Sequence, residues 1–237
     1  MIEAKKIMKI GVVGAGGRIG DELLKLIKQN ASFEPTLGIG KKSAGFVFNA
    51  SSFGEVKSTD IDVLIDFSSP KLFVDSLEFC KINKIPFISG TTGLSVDHQE
   101  MLKTAGSVIP LLWSPNMSLG IAALKKAMGV FKKTAHFDYQ IEEWHHKNKK
   151  DSPSGTAIYL QNELESVIEK KCPPTMVMRA GSIFGVHKVY AVSEEEMIVF
   201  EHTALNRTVF ARGALVAASW LLNQTKKGVY TMDDVIS

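Results

Sequence analysis

The sequence contains few of the features that would place the chain outside ordinary globular proteins. It has two cysteines in 237 residues, Cys80 and Cys172. This is too few for a disulfide framework or a cysteine zinc cluster, and it indicates a reducing compartment. No apolar run approaches the roughly 18 residues that cross a bilayer. The short apolar stretch near the start is broken by glycine and predicts a strand rather than a signal peptide. We therefore expect a soluble cytoplasmic protein.

A large excess of charge of one sign is also lacking. Lysine and arginine number 28 against 25 acidic residues, a net charge of +3, so the broad basic surface of a nucleic-acid-binding protein is not expected. Apolar residues make up 45% and aromatic residues 8%, an ordinary globular composition. The length predicts one or two domains. These counts argue against nucleic acid and membrane as partners.

In the first half of the chain, short apolar runs alternate with amphipathic helical segments. This alternation predicts a parallel sheet with crossover helices, in which ligands bind at the carboxyl ends of the strands. The loops at those ends are residues 14–19, 40–43, 67–70, 90–93 and 114–117. The predicted strands are Met8–Val13, Pro35–Ile39, Asp62–Phe67, Pro86–Ser89 and Val108–Trp113.

The pattern changes after about residue 118. Strand-like runs with short connections predict a mixed or antiparallel sheet, with a helix from Ser154 to about Lys170 and a last helix from about Arg207 to Asn223 that packs on the first domain. The predicted fold class is α/β: a Rossmann-type nucleotide domain with a second α+β domain. We assign residues 1–117 plus about 207–237 to the first domain and 118–206 to the second. The strands predicted in the second domain are Phe137–Glu143, Met176–Ala180, Val186–Val192 and Met197–Thr203.

A glycine-rich turn follows the first strand and opens the first helix. It reads G-A-G-G-R-I-G from Gly14 to Gly20. Gly14, Gly16 and Gly17 let a pyrophosphate approach backbone N–H groups, and Gly20 lets the helix pack closely on the strand. The spacing departs from G-x-G-x-x-G because Ile19 stands in the last glycine position. A plain tight turn is the alternative, but the strand-turn-helix context is the one that dinucleotide binding requires.

The loop after the second strand bears on the choice of cofactor. An acid there binds the ribose of NAD, whereas this chain has Lys41 and Lys42. Two lysines suit a 2′-phosphate, so we expect NADPH as the preferred cofactor, with NADH possible. The alternative is a solvated loop without a role in binding.

The segment 145–151 is strongly basic. Two histidines and three lysines lie between His145 and Lys150, followed by Asp151. Such a cluster stays open to water and suits a small anion with more than one carboxylate. The N–H groups of Gly155 and Thr156, at the start of a helix, add further anion donors. A solvated basic loop is the alternative. No metal is expected, because no other ligand falls at zinc spacing.

The run E-W-H-H-K-N-K-K-D-S-P-S-G-T-A, from Glu143 to Ala157, resembles the hallmark of the 4-hydroxy-tetrahydrodipicolinate (dihydrodipicolinate) reductase family of lysine biosynthesis. The resemblance extends over nearly the whole chain. It includes the segments 14–20, 66–68, 90–93 and 114–118, Arg179-Ala-Gly-Ser, His202 and Arg212-Gly-Ala.

The resemblance implies an NAD(P)H-dependent oxidoreductase that reduces 4-hydroxy-tetrahydrodipicolinate to tetrahydrodipicolinate in the diaminopimelate pathway. It implies His145 as the proton donor, Lys149 as its assistant, His146 as a substrate contact, and Gly155 with Thr156 as a carboxylate site. It further implies that the sheet of the second domain builds a homotetramer. The residues expected to line the cofactor are Gly14, Ala15, Gly16, Gly17, Arg18, Ile19, Lys41, Lys42, Phe67, Gly90, Thr91, Thr92, Ser114, Pro115, Asn116 and Met117.

Two positions depart from the family pattern. Gln140 stands where the family commonly has glutamate, and Lys41-Lys42 replaces an acidic residue that members often carry. Two other functions are alternatives to the reductase. One is a different NAD(P) oxidoreductase, such as an amino-acid or sugar dehydrogenase, which the basic cluster fits poorly. The other is a redox-sensing NAD(P)-binding regulator, for which the sequence offers no helix-turn-helix and no basic arm.

Overall fold

The computed structural model describes residues 7–41, 44–56 and 60–237, and this part of the chain divides into two compact units. The first unit takes the described residues up to Met117 together with Thr208–Val235 and Ser237. The second takes Ser118–Arg207 and Ile236. The last long helix therefore belongs to the first unit, although it follows the second in the chain.

Within the described residues there are eleven strands and seven α-helices. The strands are β1 (Met8–Val13), β2 (Phe33–Ile39), β3 (Phe48–Ala50), β4 (Val63–Asp66), β5 (Phe87–Ser89), β6 (Pro110–Trp113), β7 (Asp138–His145), β8 (Met176–Arg179), β9 (Gly185–Val192), β10 (Met197–Ala204) and β11 (Gly228–Tyr230). The helices are α1 (Arg18–Lys28), α2 (Pro70–Asn83), α3 (Val96–Gly106), α4 (Leu119–Met128), α5 (Gly155–Ile168), α6 (Thr208–Leu221) and α7 (Met232–Val235).

The first unit is built on a seven-stranded sheet in the order β11-β6-β5-β4-β1-β2-β3. All its strand pairs are parallel, which confirms the predicted Rossmann-type sheet. The central strand β4 is buried along its whole length, as expected when helices cover both faces of a parallel sheet. Because the strands run the same way, the loops after β1, β4, β5 and β6 meet at one edge.

Four elements of this unit were not predicted from the sequence, and one of them, α7, has only four residues. The strands β3 and β11 have three residues each, too few to show an alternating pattern. Helix α3 has only a weak apolar face, and its start is set by Ser95 and His98, which form a capping box.

The second unit has a mixed sheet in the order β10-β9-β7-β8. Strand β7 runs parallel to β8 and antiparallel to β9, and β10 is antiparallel to β9. One face is covered by α4, α5 and the 3-10 segment Gly129–Thr134, around a core that includes Phe131, Tyr139 and Leu160. Strand β7 continues to His145 and does not stop at Glu143 as predicted. His145 is therefore a buried strand residue and not part of an open basic loop.

The opposite face of this sheet carries exposed apolar side chains. Residues alternate between the two faces of a strand, so Glu142 and Trp144 point away from the helices that cover Ile141 and Glu143. Beside them lie Met176, Met178, Met197 and Val199, each between 39% and 60% exposed.

No helix within the described residues is long and apolar enough to cross a membrane.

Candidate active site

The glycine-rich turn lies at the carboxyl end of β1 and leads directly into α1. Gly14 has φ +78°, a conformation that disfavours side chains, and a Cβ there would overlap the carbonyl oxygen of Phe67. A Cβ on Gly20 would overlap the carbonyl oxygens of Gly14 and Ala15. Gly17 is the N-cap of α1. Bare backbone therefore surrounds the helix start, as close approach of a phosphate requires.

The end of β2 lies beside this turn. The N–H groups of Gly14 and Ala15 both donate to the carbonyl oxygen of Ile39, at 2.9 and 3.1 Å. Lys41 follows two residues later and is exposed. Lys42 lies outside the described residues. The geometry thus places at least one lysine next to the strand end where the ribose of a dinucleotide is recognised.

The buried carboxylate of Asp66 joins the loops after β4 and β5. It accepts hydrogen bonds from the hydroxyls of Ser68 (2.5 Å), Ser89 (2.8 Å) and Thr91 (2.8 Å). Burial raises the pKa of Asp66, and these hydroxyls work in the opposite direction. The sequence showed this segment as a resemblance only. The structure shows that Asp66 holds the two loops together.

The predicted cofactor residues of these loops differ in how much of each is open. Thr91 is buried, with its hydroxyl on Asp66 and its carbonyl oxygen accepting from the Trp113 indole at 3.1 Å. Both groups therefore bond within the protein and help to fix the shape of the loop. The Phe67 ring packs on Gly90 so closely that a Cβ there would overlap it, whereas Thr92 is exposed.

The loop after β6 is closed by its own hydrogen bonds. The Ser114 hydroxyl donates to the carbonyl oxygen of Asn116 at 2.7 Å, and the Ser114 N–H donates to the carbonyl oxygen of Ser89 at 3.2 Å. These bonds place residues 114–117 next to the β5 loop at the sheet edge. The Gly14 turn, the Asp66 network and this loop together form an edge of the kind that fits a dinucleotide.

In the second unit, His145 forms the centre of a separate group of polar side chains. Its Nδ1 bonds to the Glu143 carboxylate, two residues earlier on the same face of β7. Arg179 Nη2 and the Ser154 N–H donate to the other carboxylate oxygen, at 2.7 and 3.0 Å. Burial alone would raise the pKa of Glu143. The donors, with His145 first, lower it to about 2.

The ionised Glu143 determines which nitrogen of His145 is available. A carboxylate only accepts hydrogen bonds, so Nδ1 carries the proton that it receives. Nε2 is then the nitrogen left for proton exchange. It faces the backbone of Gly185, 3.2 Å from the position that a Cβ would take there. Sequence reasoning named neither Glu143 nor Arg179 as a site residue. The E-x-H spacing in a strand, which places both side chains on one face, was the available signal for Glu143.

The segment after His145 brings Lys149 to the start of α5. Lys149 Nζ bonds to an Asp151 carboxylate oxygen at 2.9 Å. Although partial burial of Asp151 works in the opposite direction, Lys149 and the Gly155 N–H hold its pKa below the ordinary range. Space is open around Gly155. The Asp151 carboxylate thus accepts hydrogen bonds from Lys149 and the Gly155 N–H, two donors that could also bind the carboxylate of a ligand.

His146 and Thr156 complete the predicted set. His146 is half-buried, and its carbonyl oxygen accepts from the Lys149 N–H at 3.1 Å. Thr156 is the second residue of α5, so it lies beside Gly155 at the helix start.

Glu143, His145 and His187 have donor atoms within 4.8 Å of one another, a grouping that could hold a metal ion. Sequence spacing did not reveal this grouping, because His187 comes from β9 and meets Glu143 only through the strand register. The Arg179 guanidinium bonds the same carboxylate, and a positive charge there disfavours a bound cation. The arrangement favours an ion-paired acid–base group.

Comparison with known proteins follows the same division of the chain. Residues 8–117 match the family model described as dihydrodipicolinate reductase, N-terminus, and residues 117–236 match dihydrodipicolinate reductase, C-terminus. The chain belongs to the dihydrodipicolinate reductase family. A 4-hydroxy-tetrahydrodipicolinate reductase of Bdellovibrio bacteriovorus is 46% identical over 231 residues, which cover 98% of this chain and 97% of the relative. A second, of Zymomonas mobilis, is 38% identical over 251 residues, with 97% of each chain covered.

A solved dihydrodipicolinate reductase from Paenisporosarcina, bound to dipicolinate, has the same fold. The TM-score is 0.82 at 19% identity, covering 95% of this chain and 97% of that one. Membership of the family makes this chain an NAD(P)H-dependent oxidoreductase of diaminopimelate and lysine biosynthesis. The two rival functions, another dehydrogenase and a redox-sensing regulator, are thereby set aside.

Proposed function

We propose that this chain reduces 4-hydroxy-tetrahydrodipicolinate to tetrahydrodipicolinate, with His145 as the proton donor. The pairing of His145 with the ionised Glu143 carries the proposal. A carboxylate on Nδ1 stabilises the imidazolium and holds its ring in place. Nε2 is left to deliver a proton, which is the role of a general acid.

The substrate loses its hydroxyl as water, which leaves a neutral conjugated ring, and negative charge develops on that ring only when a hydride adds to it. When bound, the reduced nicotinamide supplies the hydride. His145 places a proton from Nε2 on the charge that develops, and Glu143 stays ionised throughout. Lys149 lowers the energy of the same charge through its own positive charge.

Substrate carboxylates are bound at the start of α5. The N–H groups of Gly155 and Thr156 point out of the helix N-terminus, where anions are stabilised. We propose that Lys149 moves from Asp151 to a substrate carboxylate when substrate binds, and that His146 contacts the same ligand. Asp151 would then hold Lys149 near its working position in the free enzyme.

The dinucleotide is proposed to lie along the carboxyl edge of the first unit's sheet. Its pyrophosphate would lie on the turn from Gly14 to Ile19, with the loops at Phe67, 90–92 and 114–117 lining the rest. Lys41 and Lys42, in place of an acid, favour the 2′-phosphate of NADPH over NADH. A reductase that draws on this cofactor for biosynthesis fits the cytoplasm, which is the compartment we propose.

The assembly proposed is a homotetramer formed through the exposed face of the second unit's sheet. The exposed apolar side chains, Met176, Met178, Met197 and Val199, lie on one sheet face, and an exposed apolar patch of this kind is typical of a surface that pairs with another copy. Residues 118–206 are accordingly proposed as the substrate-binding and oligomerisation domain, and 1–117 plus about 207–237 as the dinucleotide-binding domain.

The decisive experiment follows cofactor oxidation while the preceding synthase makes the substrate from pyruvate and aspartate semialdehyde. We expect rapid oxidation of NADPH and slower oxidation of NADH. His145→Gln should lower kcat by about 100-fold, the usual scale for loss of a general acid, with unchanged NADPH affinity. The control is His136→Gln, an exposed histidine of the same unit, which should leave kcat unchanged.

Binding without oxidation of either cofactor would disprove the proposed reaction. Loss of NADPH affinity with normal turnover in His145→Gln would disprove the role of His145. Equal use of both cofactors, unaltered in Lys41→Glu, would disprove the role of the lysine pair.

A further inference from the structure

Two histidines on the sheet face that carries His145, the buried His187 and the half-buried His202, have the same local arrangement. His187 on β9 and His202 on β10 are paired in register on the helix-covered face of the sheet. Nε2 of His187 lies 3.4 Å from the Ser154 hydroxyl, and Nε2 of His202 lies 3.2 Å from the Ser118 hydroxyl. Each serine is the N-cap of a helix, Ser154 of α5 and Ser118 of α4. Each histidine therefore contacts the hydroxyl of a serine that caps the N-terminus of a helix.

Only one of these pairs is connected to the proposed chemistry. The His187 ring lies against the His145 ring, with centroids 5.2 Å apart at 75°. The Ser154 N–H donates to Glu143 at 3.0 Å. Helix α5 carries Gly155 and Thr156, whereas α4 carries none of the residues assigned to the reaction. The His202 pair is thus a natural control for the His187 pair.

The hydrogen-bond donors and acceptors define what His187 does. The Ser154 hydroxyl oxygen accepts from the Ala157 N–H at 3.2 Å, so its own proton is available for Nε2 of His187. Nε2 then acts as an acceptor and Nδ1 carries the ring proton. Nδ1 is buried and has no hydrogen-bond partner among the described residues. A buried polar atom without a partner is costly, so a residue chosen only for packing at this position would be apolar.

The charge of His187 is consistent with this role. Burial first, and then the neighbouring His145 and His202, lower its pKa to about 3. Protonated Nε2 could not accept from Ser154, and a second imidazolium would repel that of His145. The neutral ring avoids both effects.

We propose that His187 is a positioning residue that orients the Ser154 hydroxyl and so holds the start of α5 against the Glu143–His145 pair. The inference rests on the proposed function, because it assigns the start of α5 to substrate carboxylates. Without the acceptor on His187, the Ser154 hydroxyl turns freely and the N–H groups of Gly155 and Thr156 lose their fixed aim. Substrate binding should suffer more than proton transfer.

The test measures dipicolinate affinity by calorimetry and, separately, KM and kcat, on the full-length protein. His187→Phe should weaken dipicolinate binding and raise KM about tenfold, the equivalent of one net hydrogen bond, with kcat changed less than about threefold. His187→Gln keeps an acceptor near the position of Nε2 and should restore most of the affinity. His202→Phe should leave dipicolinate affinity unchanged.

A double variant tests the route through Ser154. Ser154→Ala should weaken binding to a similar extent, and adding it to His187→Phe should cost little more, because both changes remove one interaction. If His187→Phe does not fold, His187→Gln and Ser154→Ala still decide the matter. In that case, loss of affinity in Ser154→Ala with near-normal affinity in His187→Gln is the expected result.

Unchanged affinity in His187→Phe, equal losses in His187→Phe and His202→Phe, or additive effects with Ser154→Ala would each overturn the proposal. Dipicolinate binding does not depend on turnover. Wild-type protein that binds dipicolinate but oxidises no cofactor would therefore count against the proposed reaction. The positioning role of His187 would still be decided by the dipicolinate affinities of the variants.

Discussion

Of the two buried side chains that flank His145, one is charged and the other is neutral. Glu143 is fully buried, yet three donors stabilise its carboxylate and lower its pKa to about 2. His187 is almost as buried, but its one hydrogen bond among the described residues is with a neutral hydroxyl, and burial, together with the neighbouring His145 and His202, lowers its pKa to about 3. Burial penalises the charged form of both groups, and hydrogen bonding reverses the penalty only for Glu143. One charged acceptor and one neutral ring thus flank His145.

These shifts predict how stability depends on pH. An unfolded histidine takes up a proton below about pH 6.5, whereas native His187 stays neutral until the pH falls to about 3. His187 alone should therefore lower the free energy of unfolding by about 1.4 kcal/mol per pH unit as the pH falls below 6.5. Glu143, with a native pKa of about 2 against 4.5, adds a further loss only below about pH 4.5. We expect the free energy of unfolding, measured by urea denaturation between pH 7 and pH 4.5, to fall less steeply with decreasing pH in His187→Phe than in the wild type. The same dependence on pH in both proteins would contradict the prediction that native His187 is neutral.

At the scale of elements, the two candidate sites use the ends of secondary structure in different ways. In the first unit, parallel strands deliver their loops to one edge, and the Asp66 network joins two of those loops. In the second unit, β7 ends at His145 and α5 begins at Gly155, and the Ser154 N–H links the two ends through Glu143. Strand and helix ends offer backbone groups without partners, which makes them suitable positions for ligands.

The backbone of the glycine-rich turn can be tested with a single methyl group. Gly14→Ala forces an alanine into φ +78° and onto the Phe67 carbonyl oxygen. Since the left-handed conformation alone costs about 1–2 kcal/mol, NADPH affinity measured by fluorescence titration should fall at least tenfold. Gly129→Ala is the matched control, because Gly129 has φ −55° and open space around it. Normal NADPH binding by Gly14→Ala would show that the turn does not hold the cofactor.

At the scale of the whole molecule, the second unit leaves one sheet face uncovered. Polar groups on that face are already paired, since the Trp144 indole and the Tyr190 hydroxyl donate to the Glu142 carboxylate at 2.7 and 2.5 Å. The Glu142 hydrogen bond is the main reason that the pKa of Tyr190 is raised to about 12. With its polar atoms satisfied and its methionines and valine exposed, the face is prepared to pack against an apolar surface.

A charge on this face should break the proposed tetramer. Met178→Glu would place a carboxylate in the centre of an apolar contact, where burying an unpaired charge is unfavourable. Light scattering should show tetramers for the wild type and smaller species for Met178→Glu, with NADPH affinity retained. Ile82→Glu is the control, because Ile82 is 70% exposed on α2 of the first unit and should leave the assembly intact. A monomeric wild type at micromolar concentration would refute the proposed assembly.

Much of this molecule follows from local patterns in the sequence. The strand-turn-helix start, the alternation of strands and helices, and the change after residue 118 predict the observed parallel and mixed sheets, because periodicity and turn chemistry depend on near neighbours. The run from Glu143 to Ala157 indicated the family, which the comparisons confirm. The same local view ended β7 two residues early, since a cluster of titratable residues is more typical of a loop than of a buried strand.

The partners of His145 depend on the tertiary structure. Arg179 stands opposite His145 in the β7–β8 register, and His187 stands opposite Glu143 in the β7–β9 register. Strand register is set by how the whole sheet packs on its helices, so no spacing along the chain reveals these neighbours. The sequence alone determined the fold class and the family. Folding decided which side chains are dry and which groups share a proton, because those properties depend on contacts between residues far apart in the chain.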